Sequence, residues 1–247
     1  KENMQTATQF TIIMKQRKDM NMTKVSLVGM TTPSATTGCK TAAELIAYAA
    51  RVSNPANQAN TKTAKKLLGY LIREGHWSPF EMVSITMEIT TTRDISRQII
   101  RHRSFSFQEF SQRYAVSESF TTNREARKQH PTNRQLSVVD ENEERQAKAQ
   151  EIFSEMQSEV SKVAKDYYEM ALNSGIAKEQ ARALLPEGLT ETTLYMSGTL
   201  RSWVHYCQLR MANGTQKEHM DVAKIAWDIL GVHFPDVIAA VDEGACG

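Results

Sequence analysis

Helices packed with an antiparallel sheet are the architecture that three patterns predict in this chain of 247 residues. Val83, Ile85, Met87 and Ile89 alternate with Ser84, Thr86, Glu88 and Thr90, the two-residue period of a half-buried antiparallel strand. Leu200, Trp203, Val204, Cys207 and Met211 recur at helical spacing, as do Ala64, Leu67, Leu68, Leu71 and Ile72. Ile152, Phe153, Met156, Val160, Val163, Tyr167 and Met170 keep a helical stripe over so many turns that one helix must be much longer than the others.

Composition supports a globular body. Hydrophobic residues make up 40% and charged residues 23%, with 11 Gly and 6 Pro. No apolar run approaches the roughly 20 residues of a membrane span, which excludes collagen-like, disordered and helical membrane-spanning classes. Thirty basic and 28 acidic side chains leave a formal charge of +2, too balanced to argue a nucleic-acid or membrane partner from charge alone. Cys39, Cys207 and Cys246 are far apart and form no CxxC pair, which fits a reducing compartment, so the cytoplasm is expected. Residues 1–22 lack the apolar run and cleavage site of a signal peptide and are expected to be a partly ordered leader before one domain over 23–247.

Taken in order, residues 24–30 read as a short strand and 31–38 as a turn. Thr41 and Glu44 stand at capping-box spacing before a helix that stops near residues 51–53. Residues 61–74 form a second helix, with Gly75 where a left-handed cap belongs. The strand at 82–91 leads into a helix through Ile95 and Ile99, capped by Thr91 and Asp94, whose other side carries Arg97, Gln98 and Arg101. Residues 115–139 are polar and aperiodic, and a long mobile loop is expected there. The long helix runs from about residue 140 to 173 and ends at Gly175. Tyr195 sits in a strand, Gly198 and Thr199 in a turn, and Thr215 and Glu218 cap a final helix that closes near Gly231.

Chemistry concentrates in three places. Between Arg97 and Arg113 lie four arginines and one acid, Glu109. Guanidinium forks give bidentate, charge-assisted bonds to phosphate, so this tract suits a nucleotide or dinucleotide. If its second half is extended, Glu109, Ser111 and Arg113 point to one side. Two other readings compete: a solvated arginine face, and a single-strand nucleic-acid-binding module in which the Phe rings of residues 97–114 stack on bases. Arg201, His205 and Arg210 on one helix, with Arg182 upstream, make the second cluster. The third is Gly75-His76-Trp77-Ser78-Pro79-Phe80-Glu81 between a helix and a strand, where a loop hydrogen bond is the ordinary role of a lone histidine. The sequence contains no HExxH, no Cys/His ligand spacing, no Walker A, no GxGxxG and no GxSxG, so no dedicated metal site is expected. Cys207 lies on an apolar stripe and reads as core rather than nucleophile.

Arg101-His102-Arg103, followed after seven residues by Ser111, resembles the signature of the flavin-dependent thymidylate synthases. Residues 75–81, the helix end at 49–53, Ala181-Arg182 through Pro186, and the 200–210 helix resemble further landmarks of that family, in family order over about residues 24–235. The resemblance implies an α+β fold with a central, largely antiparallel sheet, in a single-domain chain assembled as a homotetramer with shared active sites. It implies reductive methylation of dUMP to dTMP for nucleotide biosynthesis, with methylenetetrahydrofolate as one-carbon donor and FAD, reduced by NADPH, as hydride source; it implies no nucleic-acid partner. Carried over by position, Ser53, Ser78, Glu81, Arg101, His102, Arg103, Glu109, Thr199, Arg201 and His205 would hold FAD. Gln98, Arg101, Glu109, Ser111, Gln112, Arg113, Arg182 and Arg210 would bind dUMP, Arg210 as the catalytic group, with His76 near flavin and folate. The chain departs from the family pattern at Met82, Gln112 and Thr199, where histidine, a small residue and asparagine are frequent.

Overall fold

The computed structural model describes residues 23–117, 119–121, 124–212 and 214–245. The expected leader at 1–22 lies outside them, as does Cys246. In chain order the elements are β1 (Lys24–Met30), α1 (Ala42–Ala50), α2 (Ala64–Arg73), β2 (Ser84–Thr92), α3 (Arg93–Ile99), β3 (Ser106–Glu109), β4 (Lys128–Gln129), β5 (Ser137–Val138), α4 (Glu143–Asn173), α5 (Lys178–Ala181), β6 (Glu191–Thr199), α6 (Leu200–Met211), α7 (Lys217–His233) and α8 (Pro235–Ala245). They fall into two compact units, residues 24–111 with 192–247, and residues 112–191.

The first unit carries the sheet, in strand order β1-β2-β6-β3. β1 pairs antiparallel with β2 from Lys24↔Thr90, with an irregularity between Leu27 and Gly29, and β3 pairs antiparallel with β6 from Ser106↔Ser197 to Glu109↔Leu194. The alternation in β2 has the expected outcome: Ile85, Met87 and Ile89 are buried and Thr86, Glu88 and Thr90 half-buried. Each such apolar side chain contributes about 1.5–3 kcal/mol of transfer free energy. The Thr41/Glu44 capping box forms as expected, and Gly75 adopts φ +69° after α2. Leu200, Trp203, Val204 and Cys207 are fully buried on α6, and the Trp203 indole donates to the Ile85 carbonyl at 3.0 Å, fixing α6 to β2.

Several expectations need correction. β6 contains Gly198 and Thr199 and runs straight into α6; there is no turn, because Thr199 accepts from the Ser202 N–H and caps the helix itself. α3 is capped at Thr92 rather than by Thr91 with Asp94, and the Thr92 hydroxyl bonds the Asp94 carboxylate instead of a backbone N–H. Gln216, not Thr215, precedes α7, and no side-chain cap forms there. α7 passes through Gly231 to His233, and Pro235, at the helix position where its missing N–H costs nothing, opens the further helix α8. Val237, Ile238 and Val241 of α8 are buried, and the helix packs on α2.

Gly198 is required by packing. A Cβ there would lie 2.4 Å from Cδ1 of Phe105, whose buried ring meets Trp203 edge-on at 5.0 Å and Tyr206 at 5.8 Å. Overpacking of this kind costs about 1–3 kcal/mol. Gly198→Ala is expected to lower the unfolding free energy measured in urea by that amount and to displace the adjoining segment 101–104; an unchanged unfolding free energy would disprove the account.

In the second unit, Asn142 caps α4 by accepting from Arg145 N–H, and Glu143 and Glu144 complement the helix dipole. The segment expected to be one long loop, 115–139, holds the β4–β5 hairpin and a Phe120↔Thr190 bridge. The larger surprise is the face of α4. Met156, Val163, Tyr167 and Met170 are 57, 51, 56 and 59% exposed, whereas Gln157 and Ser161 are 3 and 7% exposed. Gln146, Gln150 and Gln157 point inward because their amides serve the backbone of residues 124–126: Gln157 Oε1 accepts from Arg124 N–H at 2.9 Å, and Gln150 Oε1 accepts from Ala126 N–H at 2.8 Å. Such bonds satisfy backbone groups that have no strand partner. Farther along, Tyr168 and Ala171 pack with Ala181 and Leu185.

Candidate active site

The segment between α2 and β2 is held by burial of Phe80 in a short 3-10 turn (Ser78–Met82), which leaves Ser78 and Glu81 exposed. Glu81 makes a close ion pair with Arg201 in the first turn of α6. One turn later the exposed His205 meets Trp77 edge-on at 4.7 Å. Burial, followed by the Arg201 charge, lowers the His205 imidazole below its ordinary range. His76 stands 6.2 Å from the Tyr70 ring. Ser53 is exposed just beyond α1.

The second cluster forms where α3 ends. His102 N–H bonds the Ile99 carbonyl, which turns Arg101 and Arg103 outward, and among the described residues neither guanidinium has an acidic partner. Arg210 Nε donates to His102 Nε2 at 2.8 Å. Burial, and after it the Arg210 charge, hold His102 at about 4, so the ring is neutral at pH 7 and able to accept that bond. Its other support is the Tyr206 ring, edge-on at 4.9 Å. Gln98 is half-buried and bonded to Gln216 and His219.

Glu109 is held tightly. Ser96 and Thr192 hydroxyls donate to its Oε1 at 2.8 and 3.1 Å, and the buried Arg93 lies 3.7 Å away. The extended backbone on which the expected alignment of Glu109, Ser111 and Arg113 depended does not form, because β3 stops at Glu109 and residues 112–114 form a turn. Gln112, Arg113 and Arg182 belong to the second unit. There Gln112 is buried against Ser117, while Arg113 and Arg182 meet on Glu179, one at its carboxylate and one at its carbonyl. Phe105, one of the rings proposed for base stacking, is buried in the core.

Residues 35–236 match the family described as “Thymidylate synthase complementing protein”. The chain belongs to this family. It is 48% identical over 218 residues to a probable flavin-dependent thymidylate synthase of Paramecium bursaria Chlorella virus 1, covering 87% of this chain and 97% of that one. It is 51% identical over 198 residues to a flavin-dependent thymidylate synthase of Synechocystis sp., covering 80 and 88%. Among solved structures it is similar to the UMP/dUMP methylase PolB from Streptomyces cacaoi bound with 5-Br dUMP, with a TM-score of 0.74 and 26% identity over 90% of this chain and 96% of that one. As a family member the chain is an enzyme, with the α+β fold and antiparallel sheet expected of it.

Tyr206, Gln216 and His219 escaped the sequence reading, and Trp77 entered it only as part of the 75–81 segment, although each touches a candidate residue. The signal was present for His219. It shares the inward face of α7 with Val222, Ala223 and Ala226, all buried. A histidine on such a face needs hydrogen-bond partners.

Proposed function

We propose that this chain methylates dUMP reductively to dTMP, taking the one-carbon unit from methylenetetrahydrofolate. FAD, reduced by NADPH, would supply the hydride. The observation that carries this reading is the adjacency of two exposed guanidinium groups, Arg101 and Arg103, which have no acidic partner among the described residues, to the His102–Arg210 pair. The donor set fits a dinucleotide: exposed cations for a pyrophosphate, hydroxyls at Ser53 and Ser78, and a neutral imidazole at each of His102 and His205. Glu81, Arg201 and His205 complete the FAD-binding set, with Thr199 fixing the start of the helix that carries Arg201 and His205, and His76 borders flavin and folate.

For the nucleotide, Gln98, Arg101, Ser111, Gln112, Arg113 and Arg182 supply amide, hydroxyl and guanidinium groups to phosphate and sugar. Glu109, clamped by two hydroxyls, positions ligand. Arg210 spends Nε on His102, and among the described residues its terminal nitrogens have no protein partner. They are available to stabilise charge developing on the uracil carbonyl side as C5 becomes nucleophilic. The exposed apolar face of α4 is covered by further copies of the chain in a homotetramer whose subunits share sites, which would explain why the second unit displays apolar residues outward. No described helix is long and apolar enough to cross a membrane, and a cytoplasmic location belongs to the proposal.

The test is the visible spectrum after incubation with FAD and gel filtration, repeated anaerobically with NADPH and dUMP. Retained flavin that bleaches supports the redox half, and dTMP formed on adding methylenetetrahydrofolate completes it. Folded protein that retains no flavin overturns the reading.

A further inference from the structure

A chain of hydrogen bonds, buried at Tyr206 and His219 and part-buried at Gln98, runs from Tyr206 through His219 and Gln98 to Gln216. His219 is fully buried, its Nε2 3.0 Å from the Tyr206 hydroxyl and its Nδ1 3.4 Å from Gln98 Oε1. Gln98 Nε2 donates in turn to Gln216 Oε1 at 2.7 Å. With the Gln98 and Gln216 amides oriented as they stand in the structure, one proton arrangement satisfies every atom. Gln98 Oε1 can only accept, so Nδ1 carries the ring proton; Nε2 of a neutral ring then accepts from Tyr206. Burial, and then the charges of Arg210 and His102, hold His219 at about 3, so the neutral ring persists at pH 7.

This arrangement fixes what Gln98 can offer. Its oxygen faces His219 and one N–H is spent on Gln216, which leaves the second N–H of a half-buried carboxamide. We propose that His219 is a positioning residue for nucleotide binding: it locks the Gln98 amide so that it presents a hydrogen-bond donor to an oxygen of dUMP. The inference rests on the reading of Gln98 as a dUMP-binding residue. Tyr206 links the two halves of the site, since its hydroxyl meets His219 while its ring supports His102, the partner of Arg210.

Two amide substitutions test it in the FAD-loaded protein. The Asn Nδ2 group occupies the place of imidazole Nδ1 and keeps a donor for Gln98; the Gln amide mimics only Nε2. His219→Asn is expected to keep dUMP affinity near wild type. His219→Gln is expected to weaken dUMP binding in equilibrium dialysis, and to raise KM for dUMP, about tenfold, the cost of one misdirected hydrogen bond, while kcat at saturating dUMP changes little. Gln98→Ala is expected to weaken dUMP similarly, and the Gln98→Ala/His219→Gln double variant to lose no more than either single one. Repeating dialysis with deoxyuridine separates the acceptors: a penalty that persists places the oxygen on base or sugar, and one that vanishes places it on phosphate. Retained flavin and an unshifted melting curve confirm folding.

Equal loss in His219→Asn and His219→Gln, or normal dUMP binding by Gln98→Ala, overturns the proposal. Wild-type protein that holds FAD yet binds no dUMP would overturn the functional reading itself. Should the variants fail to fold, ring nitrogen shifts of the wild type decide: a neutral Nδ1–H tautomer at pH 7 supports the lock, and an Nε2–H tautomer or a cation refutes it.

Discussion

Arg210→Ala is expected to reduce dTMP formation about 10²–10³-fold while FAD stays bound. The guanidinium is half-buried near the end of α6 and anchored through Nε to a neutral His102, so its orientation is set before any ligand arrives. A donor aimed at charge that develops only in the transition state acts chiefly on kcat, and losing one costs about 10²–10³-fold. Arg210→Lys should not restore activity, since an ammonium keeps the charge but cannot hold His102 and a ligand in one plane. A second readout follows from His102. Burial is the larger cause of its depressed pKa and Arg210 the smaller, so removing Arg210 should raise it from about 4 while leaving it below 6.5. Anaerobic single-turnover rates, flavin retention and a histidine NMR titration check these outcomes together. Near-normal turnover in Arg210→Ala would remove Arg210 from the chemistry.

Much of the fold was legible because local rules and packing agree. The alternation at 83–89 and the stripe on α6, except for the half-buried Met211, named residues that are now buried, and the Thr41/Glu44 box and Gly75 marked real boundaries. The failures have a common cause in tertiary bonding. Thr215 and Glu218 had capping spacing, but Gln216 stands at the helix start with its amide oxygen accepting from Gln98. Gly198 and Thr199 looked like a turn because glycine and threonine are common there. Gly198 is instead needed for the Phe105 ring, and Thr199 is a helix cap inside a continuous strand-to-helix passage.

The candidate site was legible as residue types and order, not as contacts. The basic tract, Glu81, Arg201 and Arg210 could be named, but the bonds Arg210–His102 and Glu81–Arg201 join residues more than a hundred positions apart, a pairing that no local period encodes. Glu109 illustrates the limit. Strand alternation put its side chain on a face, whereas its function-defining feature is the pair of hydroxyls from α3 and β6 that hold one carboxylate oxygen.

Charging the outward face of α4 is the second large expected effect. A stripe of seven apolar residues from Ile152 to Met170 identifies a helix that will bury one side, but periodicity does not say whether the cover comes from the same chain. In the folded chain the inward side is made of Gln150, Gln157, Ser161, Ala164 and Tyr168, and the stripe faces outward from Ile152 to Met170, about 27 Å at 1.5 Å per residue. An apolar strip of that length on a lone chain would be an aggregation hazard, while two such strips packed together bury enough area for a stable assembly. Met156→Glu with Val163→Glu adds two charges to each copy at positions already exposed in the single chain, so α4 and the chain fold should survive. Circular dichroism is expected to be unchanged and the light-scattering mass to fall below that of a tetramer. If neighbouring copies complete the sites, dTMP formation falls with the mass. Unchanged mass and unchanged activity would show that this face is not the interface, and a monomer with full activity would show that each chain holds a complete site.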